Sequence, residues 1–398
     1  MIPFLRQAYN AAFSEEKYNE FINGIHADWP DQLEFRVAET PVFVPATLKN
    51  KLTEACESFV DVIVGAHYKA KTQHAIPVGQ FVPHENEHAS FLAIDFAICK
   101  DENDELTPQL IELQGFPSIF GFQSYVTEKF REYFPIPEEF SNYFSGIIDQ
   151  AAYIAKLKKV IIGKEKPENV ILLEIYPEQQ KTRIDFAVTE TFLGIKAVCY
   201  TKIKKVGRKL FYELDGREVE IKRIYNRLIF DDLTNFPDLQ AEFDLTDDLE
   251  VTWVGHPNWF FRISKYTLPY LKSPYVPDTH FLSEYSDNLP TDLENYVLKP
   301  LFSFAGSGVK IHVTTKDIEE VADPENWILQ RKVNYEPIIQ APDGLVKCEI
   351  RMLYVWEDNA PRPQLLTSLS RLSRGEMIGV RFNKDFTWVG GSTCFYEP

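Results

Sequence analysis

The sequence predicts an α/β (α+β) protein with more than one domain, and three features support this class. The chain has 398 residues, which exceeds the usual size of a single hydrophobic core. Apolar runs at 169–175 and 195–200 flank a helical segment at 179–193, which is the spacing of a parallel strand–helix–strand unit. Residues 1–80 carry apolar side chains at helical spacing, whereas several later segments alternate polar and apolar residues as antiparallel strands do.

The composition limits the classes of partner. A formal charge of −17 gives a surface that repels phosphate backbones, so nucleic acid is disfavoured and an anionic ligand would need a local basic pocket. The five cysteines are scattered, which argues against a disulfide framework and a cysteine zinc site. No signal-type N-terminus and no run of 18 apolar residues occurs. We therefore expect a soluble cytoplasmic protein without a membrane partner.

An acidic hairpin is predicted at residues 91–115. Asp95 lies inside an otherwise apolar strand, and Glu112 and Gln114 alternate with apolar residues in the next one. The period of two puts Glu112 and Gln114 on one face, and pairing of the two strands would bring Asp95 to them. Two carboxylates and an amide oxygen form a site suited to Mg²⁺. The alternative is the solvent-facing side of an amphipathic hairpin.

The loop after Lys299 predicts a hairpin that closes over phosphates. An apolar strand ends at this lysine, a loop with Ser303, Gly306, Ser307 and Gly308 follows, and a β-branched run leads out. Glycines let backbone N–H groups approach an anion, and the lysine supplies a point charge. The chain contains neither a P-loop nor a G-x-G-x-x-G fingerprint. The alternative is an ordinary glycine-containing turn.

Basic side chains recur after residue 250. Lys265 precedes a short apolar helix, Arg351 shares a strand face with Glu349, and Arg374 and Arg381 lie in a glycine-studded segment near the end. Each basic side chain alone is usually solvated. Their recurrence at strand ends and glycine loops of an acidic protein indicates an assembled phosphate pocket.

One short motif points to different chemistry. His84, Glu85 and His88 match the H-E-x-x-H pattern of zinc peptidases. That pattern binds zinc on a helix, where the histidines share a face and the glutamate reaches a zinc-bound water. A predicted strand follows at once and leaves little room for a helix, so a solvated loop is the competing interpretation. A zinc hydrolase is one functional hypothesis that this motif raises.

The order of these segments resembles the circularly permuted ATP-grasp proteins related to glutathionylspermidine synthase. Asp95 with Glu112-x-Gln114 resembles the family's metal signature, and Lys299-Pro300 resembles its Lys-Pro hairpin. The other matching segments, in chain order, are residues 221–227, Ser264-Lys265, Leu329-Gln330 and Gly379-Val-Arg381. Together they span roughly residues 90–398.

The resemblance implies an ATP-grasp architecture that is circularly permuted, because the metal-type segment precedes the lysines. It also implies a small α/β domain of the pre-ATP-grasp kind. We expect an N-terminal helical region with the metal-binding hairpin at 1–157, the small α/β domain at 158–250, and the nucleotide-binding lobes at 251–398.

The activity that the resemblance implies is ATP-dependent carbon–nitrogen ligation, in which a small-molecule carboxylate is joined to an amine through an acylphosphate. ATP and Mg²⁺ are the implied cofactors, with the metal on the Asp95, Glu112 and Gln114 set. Lys265, Lys299 and the loop from Ser303 to Gly308 would hold the phosphates, and Gln330 would lie beside adenine. The implied stabilising group for the transferred phosphoryl is Arg381, with Arg351 and Arg374 as alternatives.

Two positions depart from the family pattern. Ala93 stands where the family has an arginine before the metal aspartate, and Phe304 stands where it has one in the glycine loop. Both differences remove positive charge near the transferred phosphoryl and argue against glutathionylspermidine synthesis itself. They motivate the second hypothesis, an ATP-binding protein without ligase activity.

Overall fold

The computed structural model describes residues 1–285, 289–303, 308–375, 378–379 and 383–398. The α-helices in this part of the chain are α1 (Pro3–Ala12), α2 (Glu15–Asp28), α3 (Ala46–Ile63), α4 (Tyr68–Lys71), α5 (Phe120–Tyr133), α6 (Gln150–Ile161), α7 (Arg183–Leu193), α8 (Phe230–Thr234), α9 (Pro257–Arg262) and α10 (Thr315–Glu319). Helix α2 begins with a capping contact, in which the Ser14 hydroxyl accepts from the backbone N–H of Lys17. Within the described ranges, no helix is long and apolar enough to cross a membrane.

The strands alternate with these helices along the chain. They are β1 (Val42–Val44), β2 (Phe91–Lys100), β3 (Leu106–Gln114), β4 (Val170–Glu174), β5 (Lys196–Cys199), β6 (Lys204–Val206), β7 (Lys209–Leu214), β8 (Arg217–Ile221), β9 (Arg223–Asn226), β10 (Thr252–Val254), β11 (Thr279–Phe281), β12 (Tyr296–Pro300), β13 (Trp327–Arg331), β14 (Ile339–Ala341), β15 (Gly344–Val355), β16 (Gln364–Ser373) and β17 (Gly390–Tyr396).

The largest sheet joins strands from both ends of the chain. Its order is β1-β17-β16-β15-β2-β3, with β14 paired to β15. All its pairings are antiparallel except the parallel pair of β1 and β17. Helices α3 and α5 pack on this sheet, and apolar side chains from both helices and from the sheet share one core. In this core, Phe59 of α3 stacks on Phe96 of β2 with 5.9 Å between ring centroids.

The predicted strand–helix–strand unit is confirmed. Strands β4 and β5 are parallel and α7 connects them, in a four-stranded sheet of order β10-β9-β4-β5. Gly194 ends α7 in the left-handed conformation, with φ of 76°. Asp215-Gly216 is a dipeptide typical of hairpin turns, and both residues have positive φ between β7 and β8.

Two local predictions differ from the structure. Residues 42–44, within the region expected to be mostly helical, form β1 because all three are buried and pair in parallel with β17. Beyond the glycine loop, the expected outgoing strand is reduced to one bridge between Leu298 and Lys310. It has little room to continue, because Thr314 caps α10 through a capping box only four residues later. Strand β12 pairs instead with β13, in a sheet of order β11-β13-β12.

Candidate phosphate-binding site

Strand register assembles a group of charged side chains on the largest sheet. Asp95 of β2 lies opposite both Glu112 of β3 and Arg351 of β15, and Glu349 of β15 lies opposite Arg371 of β16. The ladder between β2 and β3 shifts register after Asp95, as a β-bulge does. The predicted hairpin is therefore confirmed. We call Asp95, Glu112, Glu349, Arg351, Arg371, Lys265 and Lys299 the charged cluster.

Asp95 is held by two guanidinium groups. Only 1% of its surface is exposed. Arg351 donates from Nε and Nη2 to the two carboxylate oxygens, at 2.5 Å each, and Arg371 donates from Nη2 to Oδ2 at 2.7 Å. Arg351 also donates from Nη1 to the hydroxyl of Ser118 at 3.1 Å. The paired bonds from Arg351 form the fork geometry of a strong arginine–carboxylate pair.

Glu349 shares Arg371 with Asp95. Its carboxylate forms an ion pair with Arg371 and accepts a hydrogen bond from the Tyr335 hydroxyl at 3.0 Å. Burial raises the pKa of Glu349, against the lowering effect of Arg371. Burial alone would lower the pKa of Arg371, but Glu349 and Asp95 raise it above its usual value.

Two buried lysines face the same cluster. Lys299 donates from Nζ to the side-chain oxygen of Gln330 at 2.6 Å and to the backbone oxygen of Ile111 at 3.2 Å. Lys265 donates from Nζ to the backbone oxygen of Ser303 at 2.7 Å. Burial lowers the pKa of Lys299 to about 8 and also lowers the pKa of Lys265.

Lys299 has an unusual electrostatic position. Among the described residues, no carboxylate lies within 4.0 Å of its ammonium group, and both partners named above are neutral. The nearest ion partner of Lys265 is Glu112, at the 4.0 Å limit of an ion pair. Burial would raise the pKa of Glu112, but Lys265 and Arg351 lower it below its usual value. The two lysines are therefore available to a further anion.

The residues predicted to hold Mg²⁺ converge, but both oxygens of Asp95 and one oxygen of Glu112 are already engaged. Asp95 is occupied by the two arginines, and Glu112 accepts from the Gln114 amide at 2.9 Å. Glu112 also lies 3.9 Å from Arg351. The described part of the chain contains no group of three or more His, Cys, Asp or Glu residues arranged to hold a metal ion. A divalent cation needs free oxygen ligands, so this arrangement does not fit it.

The other predicted site residues are distributed differently. Gln330 is buried and its amide donates to the hydroxyl of Thr279 at 3.0 Å, which fixes the oxygen that accepts from Lys299. Gly308 adopts φ of +71°, and a Cβ there would lie 3.0 Å from Pro300. Phe304, Gly306, Ser307 and Arg381 lie outside the described residues.

Arg374 does not join the charged cluster. Its guanidinium forms an ion pair with Asp343 at the turn between β14 and β15, and its backbone N–H donates to the Asn383 side chain at 2.9 Å. Strand β16 ends at Ser373, so Arg374 no longer follows the alternation of the strand. Arg374 is thus a poor alternative for the phosphoryl-stabilising group.

Sequence reasoning missed Arg371 and Tyr335. Arg371 is the one charged residue of β16, whose other residues are apolar or small and polar apart from Gln364. A lone charge inside such a strand is the same signal that identified Asp95 in β2. Tyr335 lies between β13 and β14 in a segment without regular structure, where no periodicity could indicate its direction.

The H-E-x-x-H segment is an irregular loop whose side chains go to separate partners. His84, with φ of 58°, contacts Asp248 through Nε2 at 2.5 Å, and Glu85 accepts two hydrogen bonds from Arg262 at 2.5 and 2.9 Å. The His88 ring stacks on Trp356 with 4.0 Å between centroids. The segment is not a helix, so the motif lacks the shared face that zinc binding requires. The zinc hypothesis is therefore wrong in its structural premise.

Comparison with known proteins identifies the fold. No protein-family model matches the sequence, and neither does any curated protein. Among solved structures, the chain resembles a glutathione synthetase-like effector from Globodera pallida in its apo form, with a TM-score of 0.60 and 9% sequence identity. The likeness covers 97% of this chain and 98% of that one. At this identity it carries the fold alone: the chain has a mixed α/β fold of the glutathione synthetase-like, ATP-grasp kind, which confirms the predicted fold class, while the circular permutation stays a prediction.

Proposed function

We propose that the charged cluster binds the phosphates of ATP. The observation that carries this proposal is Lys299, a buried ammonium group with two neutral partners and no carboxylate within ion-pair distance among the described residues. Glu112 and Glu349 act on this charge only from beyond ion-pair distance, so an anionic ligand in direct contact would compensate it further. Burial lowers the pKa of Lys299, Glu112 opposes this effect, and the charge of Lys265 adds to it, so the same anion would relieve the repulsion between the two lysines.

The remaining members of the cluster suit a polyphosphate. Arg351 and Arg371 are planar donors that match phosphate oxygens, and the lysines act as point charges. Gln330 acts as a positioning residue, because its oxygen accepts from Lys299 while Thr279 fixes its amide. The same proposal has Gln330 in contact with adenine and the loop from Ser303 to Gly308 over the phosphates.

The proposed reaction is carboxylate–amine ligation, and its support is the likeness of fold to a glutathione synthetase-like protein. A carboxylate oxygen attacks the γ-phosphorus of ATP, and ADP leaves. The amine nitrogen then attacks the acyl carbon, the C–O bond to phosphate breaks, and the amine proton is lost. The chain contributes charge neutralisation and positioning, for which Arg351 is the described candidate and Arg381 the candidate outside the described residues.

The rest of the architecture is proposed on the same basis. Strands β2 and β3, at residues 91–114, complete a sheet otherwise built from residues 339–396 and β1, which supports a circularly permuted order. With that order we propose the same three domains that the sequence predicts, at residues 1–157, 158–250 and 251–398. Small carboxylate and amine substrates and a cytoplasmic location complete the proposal.

A second candidate is an ATP-binding protein without ligase activity. The observation that favours it is the arginine-held Asp95, together with Ala93 at the position of a family arginine. A chain that retains the phosphate-binding lysines but has lost the cation arrangement for phosphoryl transfer would bind ATP and release no ADP.

The first test is ATP binding by calorimetry to wild-type protein and Lys299→Met. We expect the variant to bind at least about tenfold more weakly, which corresponds to about 1.4 kcal/mol. Lys209→Met is the matched control, because Lys209 pairs with Glu220 on the surface of β7 and β8. If wild type and Lys299→Met have equal affinity for ATP, the nucleotide does not bind at the charged cluster.

The second test separates the two candidates. Wild-type protein is incubated with ATP and pools of amino acids, peptides and polyamines, and ADP is measured together with the product mass. ADP release matched by an amide product identifies a ligase. Tight ATP binding without ADP from any acid and amine pair identifies the binding protein.

A further inference from the structure

The carboxylate that a metal would need is fully used by arginine. Asp95 accepts from Arg351 on both oxygens and from Arg371 on one of them. A metal ion that ligated either oxygen would displace at least one of these bonds. The displaced donor would belong to Arg351, whose side chain is 13% exposed, or to Arg371. Leaving a buried charged donor unpaired is costly, so Arg351 and a metal compete for the same place.

The other two candidate ligands do not offset this competition. Glu112 accepts from Gln114 on Oε1, and both its oxygens lie about 4 Å from cations, at 3.9 Å from Arg351 and 4.0 Å from Lys265. A magnesium ion in that space would face both of these positive side chains at short range. Like charges so close repel strongly in a partly desolvated site.

Arg371 retains capacity for a ligand, while Arg351 holds Asp95 in place beside it. Arg371 has 38% of its side chain exposed although it bonds to Asp95 and Glu349. Arg371 therefore has an open side from which a phosphate can approach. A guanidinium binds phosphate in a fixed, two-pronged geometry, as a divalent cation bridges two phosphate oxygens.

We propose that Arg351 and Arg371 replace the divalent cation in this chain, so that the charged cluster binds a nucleoside triphosphate without metal. The inference rests on the proposed function, because it assumes that the cluster binds the nucleotide. It concerns the chain's own guanidinium groups and adds a property that the resemblance does not imply, namely nucleotide affinity that does not require Mg²⁺.

The test is equilibrium binding of a non-hydrolysable ATP analogue to wild-type protein, in EDTA and in excess Mg²⁺. We expect the analogue to bind in EDTA at least as tightly as in excess Mg²⁺, because a Mg²⁺ ion on its phosphates would compete with the arginines. Binding that is at least about tenfold weaker in EDTA overturns the inference and leaves the proposed function intact. The absence of binding under both conditions overturns both.

Variants connect the result to the arginines. Arg371→Met is expected to lose at least about tenfold in affinity in EDTA, and Arg371→Lys, which keeps the charge, is expected to lose less. Arg217→Met is the matched control, because Arg217 pairs with Glu168 on a distant surface. If Arg371→Met folds and binds the analogue in EDTA as wild type does, Arg371 does not replace the metal. Circular dichroism and an unfolding curve establish that the variants are folded.

Discussion

Replacing Asp95 with asparagine distinguishes an arginine-held carboxylate from a metal ligand. In the structure this carboxylate stabilises Arg351 and Arg371. Its neutralisation should therefore lower the free energy of unfolding in the absence of any metal. A metal site has the opposite property, because clustered carboxylates repel one another when the metal is removed and neutralising one of them relieves that repulsion.

The magnitude follows from the contacts. Breaking a buried ion pair by removing one partner costs about 3–5 kcal/mol. Arg371 keeps Glu349 and is 38% exposed, and Arg351 keeps Ser118, so the loss falls mainly on the pair of bonds from Arg351. The asparagine oxygen still accepts one hydrogen bond. We expect Asp95→Asn to lower the free energy of unfolding by about 3 kcal/mol.

The assay is urea unfolding in EDTA, followed by tryptophan fluorescence and circular dichroism. Asp104→Asn is the matched control, because Asp104 is an exposed turn residue with φ of 62° that asparagine tolerates. We expect the control to change the free energy of unfolding by less than about 0.5 kcal/mol. An Asp95→Asn protein as stable as wild type, or more stable, would refute the assignment of Asp95 to the arginines.

Three further predictions concern positions outside the cluster. Burial raises the pKa of Glu174 to about 8, so the folded protein keeps a proton that the unfolded chain loses, and stability falls as pH rises between about 4.5 and 8. The free energy of unfolding of Glu174→Gln should rise relative to that of wild type across that window, by up to about 1.4 kcal/mol per pH unit. Urea unfolding of both proteins at the two ends of the window measures the difference between them, and a difference that does not change with pH would contradict the prediction. Glu85→Gln weakens the buried pair with Arg262 and should cost about 3 kcal/mol without changing ATP affinity; calorimetry that shows weaker ATP binding would contradict this separation. Gly390→Ala places a Cβ 2.5 Å from the backbone oxygen of Arg36 at φ of +128°, so a melting curve should show a loss of about 2 kcal/mol, whereas wild-type stability would mean that the backbone relaxes freely.

Local patterns predicted the parts of the cluster better than its pairings. Asp95 was identifiable because a single charge interrupts an apolar strand, and Glu112 because it alternates with apolar neighbours. The short separation of these two residues made their hairpin predictable. Arg351, in contrast, contacts Asp95 across a sequence separation of 256 residues. Such pairings depend on the whole topology and carry no local signal.

The interpretation of Asp95 changed for this reason. Taken with Glu112 and Gln114 alone, it has the composition of a magnesium site. The structure adds two guanidinium groups from β15 and β16, which compete with a metal for the same oxygens. Arg371 would have been identifiable as the lone charge of β16, whereas Arg374, one residue beyond the strand, was the more visible choice because of the glycine that follows it.

An experimental structure with a bound non-hydrolysable ATP analogue tests the central claim most directly. Phosphate oxygens are expected within hydrogen-bond distance of the Nζ atoms of Lys299 and Lys265, and of the Arg371 guanidinium, with Arg351 still bonded to Asp95. A nucleotide bound away from Lys299, or phosphates held by a metal on Asp95 with Arg351 displaced, would contradict the account.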